Sequence, residues 1–220
     1  MKSKKNLSIL FIICIVSYFM MINMSLTADA EDLTKYYSSS KKTIEKNFII
    51  YELRDLFIQE KILIQYIEDL TKLPYDESAF MIKECRSKNM DPFIVLGVIK
   101  SESDFNPFAV GQAGERGLGQ LMGNTAKPVA ENIGYIYNPE NLFDIRYNLK
   151  ITITQLSYLN NLYNKDVHKT LTAYNRGQKG LQEYMDSGKS EYENLAISEY
   201  SAKVLKFANE YKEEFENLSN

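Results

Sequence analysis

The 220-residue chain contains no tryptophan, one histidine and two cysteines. Without tryptophan, aromatic surface for stacking against a ligand must come from its 16 tyrosines and 11 phenylalanines. His168 is the lone histidine, so a Ser-His-Asp arrangement has a single candidate base, and Asp166 is too near it in sequence for the usual geometry. His168 therefore reads as a helix-end or surface residue. No His/Cys cluster has metal-ligand spacing, which argues against a zinc peptidase or amidase, and no metal or organic cofactor is implied. Cys14 lies in an N-terminal apolar run; once that run is removed, Cys85 has no partner, and stability must come from packing. Cys85 stands among Phe80, Ile82 and Met90 and reads as a structural thiol. Repeats and low-complexity tracts are absent, and no segment alternates apolar and polar residues long enough to demand a large sheet.

Residues 1–30 have the form of a targeting segment. Lys2, Lys4 and Lys5 precede a mostly apolar stretch over residues 7–24, and Ala28-Asp29-Ala30 is a small-x-small site of the kind signal peptidase cuts. The apolar stretch is long for a signal peptide, so an uncleaved membrane anchor is the alternative. In both cases the lysines before the stretch put the body of the protein outside the cytoplasm, either secreted, periplasmic or wall-associated, or held at the membrane. Removing the three lysines and one aspartate of this segment takes the formal charge from −3 to −5. An acidic body disfavours nucleic acid or an anionic membrane surface as main partner. A substrate would be held by shape and hydrogen bonds.

The remainder reads as mainly α. Residues 31–75 combine a polar linker or loose helix with an amphipathic helix from Ile44 to Leu73, in which Ile49, Leu53, Leu56, Phe57, Leu63, Ile64, Ile67 and Leu70 recur at threes and fours. Pro74 stops it. The main domain is expected over residues 76–216. Its second helix is well signalled: Asp91 as N-cap, Pro92 at the first helical position, and Ile94, Val95, Val98 and Ile99 as buried positions up to Ser103. Residues 104–123 hold Pro107 and half of the chain's ten glycines and read as loop, with a short hairpin at most. Asn124 or Thr125 is the expected cap of the next helix. Further helices are expected near 144–164, 168–176, 178–187 and 192–216.

Glu102 is the leading chemical candidate. It closes an apolar helix at the negative end of the dipole and faces the glycine-rich loop, both of which favour a carboxylic acid that stays protonated. Such an acid can protonate a leaving oxygen. No second acid stands out: Asp104 is two residues away and points elsewhere if the helix continues. Taken alone, a helix-end glutamate is more often a solvated one.

Two motifs change that balance. Glu102-Ser103-x-Phe105-x-Pro107-x-Ala109 runs into Gly114-x-x-Gly117-Leu118-x-Gln120-Leu121-Met122-x-x-Thr125-Ala126, and some fifty residues later comes Ala173-Tyr174-Asn175-Arg176-Gly177. In order and distance the pair resembles the two signatures of the soluble-lytic-type lytic transglycosylases, over about residues 80–210. The resemblance implies a lysozyme-like α-domain in which the glycine-rich segment forms a small irregular or β region. It implies Glu102 as the catalytic acid/base, with Gln120 and Met122 lining the sugar cleft near it. Tyr174 and Asn175 would form the opposite wall, the tyrosine hydrogen-bonding near the carboxylate. The implied substrate is the peptidoglycan glycan strand. Glu102 would protonate the oxygen between N-acetylmuramic acid and N-acetylglucosamine, then take the proton of the sugar's own 6-hydroxyl as it closes a 1,6-anhydro ring. That route needs no second carboxylate.

The chain departs from the family pattern at several places. Gly111 stands where a serine is common, Glu115 where a small residue is, Gly119 for a common methionine, Gly123 for a common proline, and Arg176 at a small position. Tyr135, Tyr137, Tyr147, Tyr158 and Tyr163 are candidate sugar platforms, with Tyr158 and Tyr163 expected in the core. Lys203, Lys206 and Lys212 read as a solvated helix face. Two rival readings are a hydrolytic muramidase on the same fold and a non-catalytic wall-binding adaptor. Proteins of this kind often open the wall for secretion or assembly machinery, which would then be a partner.

Overall fold

The computed structural model describes residues 30–219, so the expected leader, including residues 7–24, lies outside the described residues except for Ala30. Two compact units make up the chain, Met1–Phe57 and Ile58–Asn220. A first helix, α1 (Ala30–Thr71), is continuous where the sequence suggested a linker followed by a helix. Its residues up to Phe57 are the described part of the first unit. Its C-terminal part belongs to the second: Ile64, Tyr66 and Ile67 are buried beside Met81, Cys85 and Leu96. The stretch 31–75 is thus divided between the two units.

The second unit continues with α2 (Tyr75–Ser87), α3 (Pro92–Ser103), α4 (Gly123–Asn132), a 3-10 turn (Pro139–Phe143), α5 (Ile145–Leu162), α6 (Val167–Asp186) and α7 (Glu199–Leu218). The helix starts are chemically marked. Asp91 accepts from the Phe93 backbone N–H at 2.8 Å, Asp144 from Tyr147 at 2.8 Å and Asp166 from Lys169 at 3.0 Å. Ser198 and Ser201 form a reciprocal capping box on α7. α4 differs from expectation: Met122 is its N-cap and no side chain caps it, so the helix begins at Gly123, ahead of Asn124 and Thr125. α7 starts at Glu199, because residues before it form a turn that Ser190 holds by donating to Ile197 O at 2.9 Å.

α3 is the axis of the core. Val95, Leu96, Val98 and Ile99 are wholly buried, packed with Ile153, Leu156 and Leu171 and with Val204 of α7. Each such side chain contributes about 1.5–3 kcal/mol, so sliding or rotating α3 is far costlier than any adjustment of the loops beyond it. Lys150 of α5 pairs with the buried Glu84 of α2 at 2.6 Å. Cys85 is a free, fully buried thiol, pushed up in pKa by that burial.

The glycine-rich segment carries only isolated antiparallel bridges, Val110 with Arg116 and Arg116 with Leu121. What fixes it is Asn148 of α5, itself 1% exposed. Its amide donates to Arg116 O at 3.0 Å and Leu142 O at 2.8 Å, and its oxygen accepts from Gly119 N–H at 2.9 Å. Asn148→Ala strands three backbone groups, each costing roughly 1–3 kcal/mol less whatever water recovers. The expected loss is about 2–4 kcal/mol in urea unfolding; a loss under about 1 kcal/mol would mean that the loop is held by something else. Among the described residues no helix is long and apolar enough to cross a membrane.

Candidate active site

Glu102 lies in the last turn of α3. The helix ends sharply because Asp104 and Phe105 both adopt left-handed φ values, 53° and 63°. Ser103 Oγ donates to Leu118 O at 2.8 Å and ties this end to the glycine-rich loop. The carboxylate faces a cleft of about 850 Å³ whose walls include Glu115, Gln120, Met122, Tyr158, Tyr174 and Asn175.

Burial raises the pKa of Glu102 above the ordinary carboxylate value, and the charge of Glu115 pushes in the same direction. The hydrogen bond from Tyr200 and the charge of Lys203 pull it back, without cancelling the rise. Tyr200 Oη donates to Glu102 Oε1 at 2.5 Å. An acid raised by desolvation, with a neutral donor ready to stabilise its ionised form, can give a proton and then hold the resulting charge.

The structure brings the sequence-derived site residues together, with differences in detail. Gln120 lines the cleft, but its amide nitrogen is committed to the loop, donating to Ala109 O and Gly117 O at 3.0 Å each. Only its side-chain oxygen remains for other partners. Met122 is 38% exposed at the cleft lip, and Asn175 is exposed on its wall. Tyr174 lines the cleft, but its hydroxyl donates to Gly119 O at 2.8 Å; the hydroxyl bonded to Glu102 is that of Tyr200. Tyr174 thus joins α6 to the glycine-rich loop.

That contact depends on Gly119 having no side chain. A Cβ there would stand 2.1 Å from Thr152 Oγ1 and 2.8 Å from Tyr174 Oη. Gly119 is therefore locked between α5 and α6. Gly177 breaks α6 just past the second motif, with φ 74° and ψ 165°, a conformation open almost only to glycine. The two expected helices around it are one element with this kink.

Tyr158 was expected in the core; it is 51% exposed and lines the cleft, because the face of α5 beyond Leu156 and Leu159 opens onto it. Tyr147 is buried and donates to Ile136 O at 3.3 Å. His168 is half-buried with Nδ1 3.1 Å from Ser201 Oγ, away from the cleft walls.

Sequence reasoning missed Tyr200 and Glu115. Tyr200 had a readable signal: with Val204, Ala208 and Tyr211 it forms an inward stripe at fours and threes on α7. A tyrosine on such a stripe carries a hydroxyl into the interior, where it needs a partner. Lys203, expected to be merely solvated, is exposed yet its charge acts on Glu102.

A transglycosylase SLT domain model matches residues 79–197. The chain is 30% identical over 129 residues to the membrane-bound lytic murein transglycosylase C of Klebsiella pneumoniae, covering 54% of this chain and 36% of that protein. It is 29% identical over 126 residues to the protein of the same name from Cronobacter sakazakii, covering 52% and 35%. The fold matches the crystal structure of the 70 kDa soluble lytic transglycosylase of Escherichia coli with a TM-score of 0.55 at 17% identity, over 69% of this chain and 29% of that one. The chain thus spans about a third or less of the length of its relatives.

Proposed function

The chain belongs to the transglycosylase SLT family, whose model covers more than half of it, and from that premise we propose that it cleaves the glycan strands of peptidoglycan between N-acetylmuramic acid and N-acetylglucosamine. Glu102 is the acid, and its position in the cleft is the observation that carries the reading: desolvated, raised in pKa and hydrogen-bonded by Tyr200. It protonates the bridging oxygen as the glycosidic bond breaks. The ionised carboxylate, held by the Tyr200 hydroxyl, then takes the proton of the muramoyl 6-hydroxyl while that oxygen bonds to the anomeric carbon. The product is a 1,6-anhydro end, and Glu102 is again protonated. Tyr158 offers a ring to a sugar face on one wall. Met122 and Asn175 contact neighbouring sugars, while Gln120 and Tyr174 shape the loop beside the acid.

Residues 76–216 supply this chemistry, and residues 1–30 place it outside the cytoplasm as a leader or an anchor. The test is mass analysis of muropeptides released from purified sacculi. Anhydromuramoyl ends are the expected product; binding of sacculi without release would leave the chain an adaptor. N-terminal sequencing of the exported protein distinguishes a leader from an anchor.

A further inference from the structure

Glu115 departs from the family pattern, and the structure gives that departure a place. It stands on the glycine-rich loop on the same cleft as Glu102. Its carboxylate occupies the room left by Gly111: a Cβ on Gly111 would lie 2.3 Å from Glu115 Oε2 and 2.8 Å from Gln120 Oε1. The two departures are therefore one exchange, a side chain lost at 111 and a longer acidic one entering from 115.

Glu115 has the features of a base. One oxygen accepts from Ala113 N–H at 3.0 Å, which orients the carboxylate. No cation among the described residues neutralises it, since the adjacent Arg116 pairs with Glu140 at 2.6 Å and lies over the Phe143 ring. The Gln120 oxygen that converges with it is an acceptor too, because the amide nitrogen is already used on both its hydrogen bonds to Ala109 and Gly117. Two acceptor oxygens that both approach the Cβ position of Gly111 suit a molecule with two O–H donors. A glycan-cleaving cleft lined by a proton donor and by a second, unpaired carboxylate has the two groups that direct attack by water requires.

Given that Glu102 is the acid of a glycan-cleaving cleft, we propose that Glu115 is a second catalytic carboxylate, which activates a water held between it and Gln120 and opens a hydrolytic branch beside anhydro-ring closure. In that branch Glu102 gives its proton to the bridging oxygen as the glycosidic bond breaks. The water oxygen bonds to the anomeric carbon, and its proton passes to Glu115. The net change is addition of one water, and the new end is a reducing sugar. Glu115 then releases its proton to solvent and Glu102 regains one.

The experiment is digestion of sacculi by the full chain in water enriched in oxygen-18, with reducing and anhydro ends counted by mass. The native chain should give both, each reducing end carrying one heavy oxygen. Glu115→Gln should lower the ratio of reducing to anhydro ends at least about tenfold, as loss of a general base does. Glu115→Asp keeps the carboxylate and should restore part of the ratio, which a purely structural role would not do. Anhydro ends alone from the native chain, or a ratio that Glu115→Gln leaves unmoved, overturns the role of Glu115 while glycan cleavage stands. No release of either end overturns both.

Discussion

Glu102→Gln should lower muropeptide release by about 10²- to 10⁴-fold, the range associated with a positioned general acid. The substitution is nearly isosteric, and Tyr200 Oη can donate to the amide oxygen as it does to the carboxylate at 2.5 Å. The fold should therefore persist, with thermal unfolding little changed, so that the loss is one of chemistry. Sacculus binding should persist too. A variant retaining more than about a tenth of the native rate would mean that the proton comes from elsewhere. The expectation is strong because no other acid on the cleft is placed alike: Glu115 is unpaired and stands on a loop, whereas Glu102 ends the best-buried helix of the domain.

Tyr200→Phe tests the second half of the cycle, in which the ionised acid must be held. A hydrogen bond to a charged group contributes about 1.5–3 kcal/mol, so its loss should slow cleavage roughly 10- to 150-fold. The pH profile should move as well. Cleavage requires protonated Glu102, so the rate falls as pH rises through its pKa. The Tyr200 hydrogen bond lowers that pKa against the rise caused by burial; removing it raises the pKa further and moves the descending limb to higher pH. Glu115→Gln has the opposite sign, since the Glu115 charge raises the pKa of Glu102. A slower enzyme with an unshifted limb would mean that Tyr200 only packs against the site.

Local chemistry made much of this legible in the sequence. The Asp91-Pro92 start and the buried spacing of α3 place Glu102 in its last turn without any knowledge of the rest of the fold. The positions of Gly177 and of the helices on either side of it follow from the same kind of signal. Contacts made at a distance were not legible. Tyr200 meets Glu102 across 98 residues of chain. Glu115 enters the cleft only because Asn148, on another helix, sets the loop's path, and because Gly111 leaves room for it. Tyr174 lines the cleft, but the partner of its hydroxyl depends on how closely Gly119 approaches, which spacing alone does not determine. Tyr158 was misread because a helical period marks one buried face and does not say that a neighbouring face borders a ligand cavity.

The closeness of Gly119 to Thr152 has a consequence for how this chain can change over time. A methionine at 119 would put its first carbon 2.1 Å from the Thr152 hydroxyl, which belongs to a fully buried side chain. That substitution becomes tolerable only where position 152 carries a smaller side chain. Mutational order is therefore constrained here: the two sites are coupled, and a library that randomises 119 alone should recover glycine.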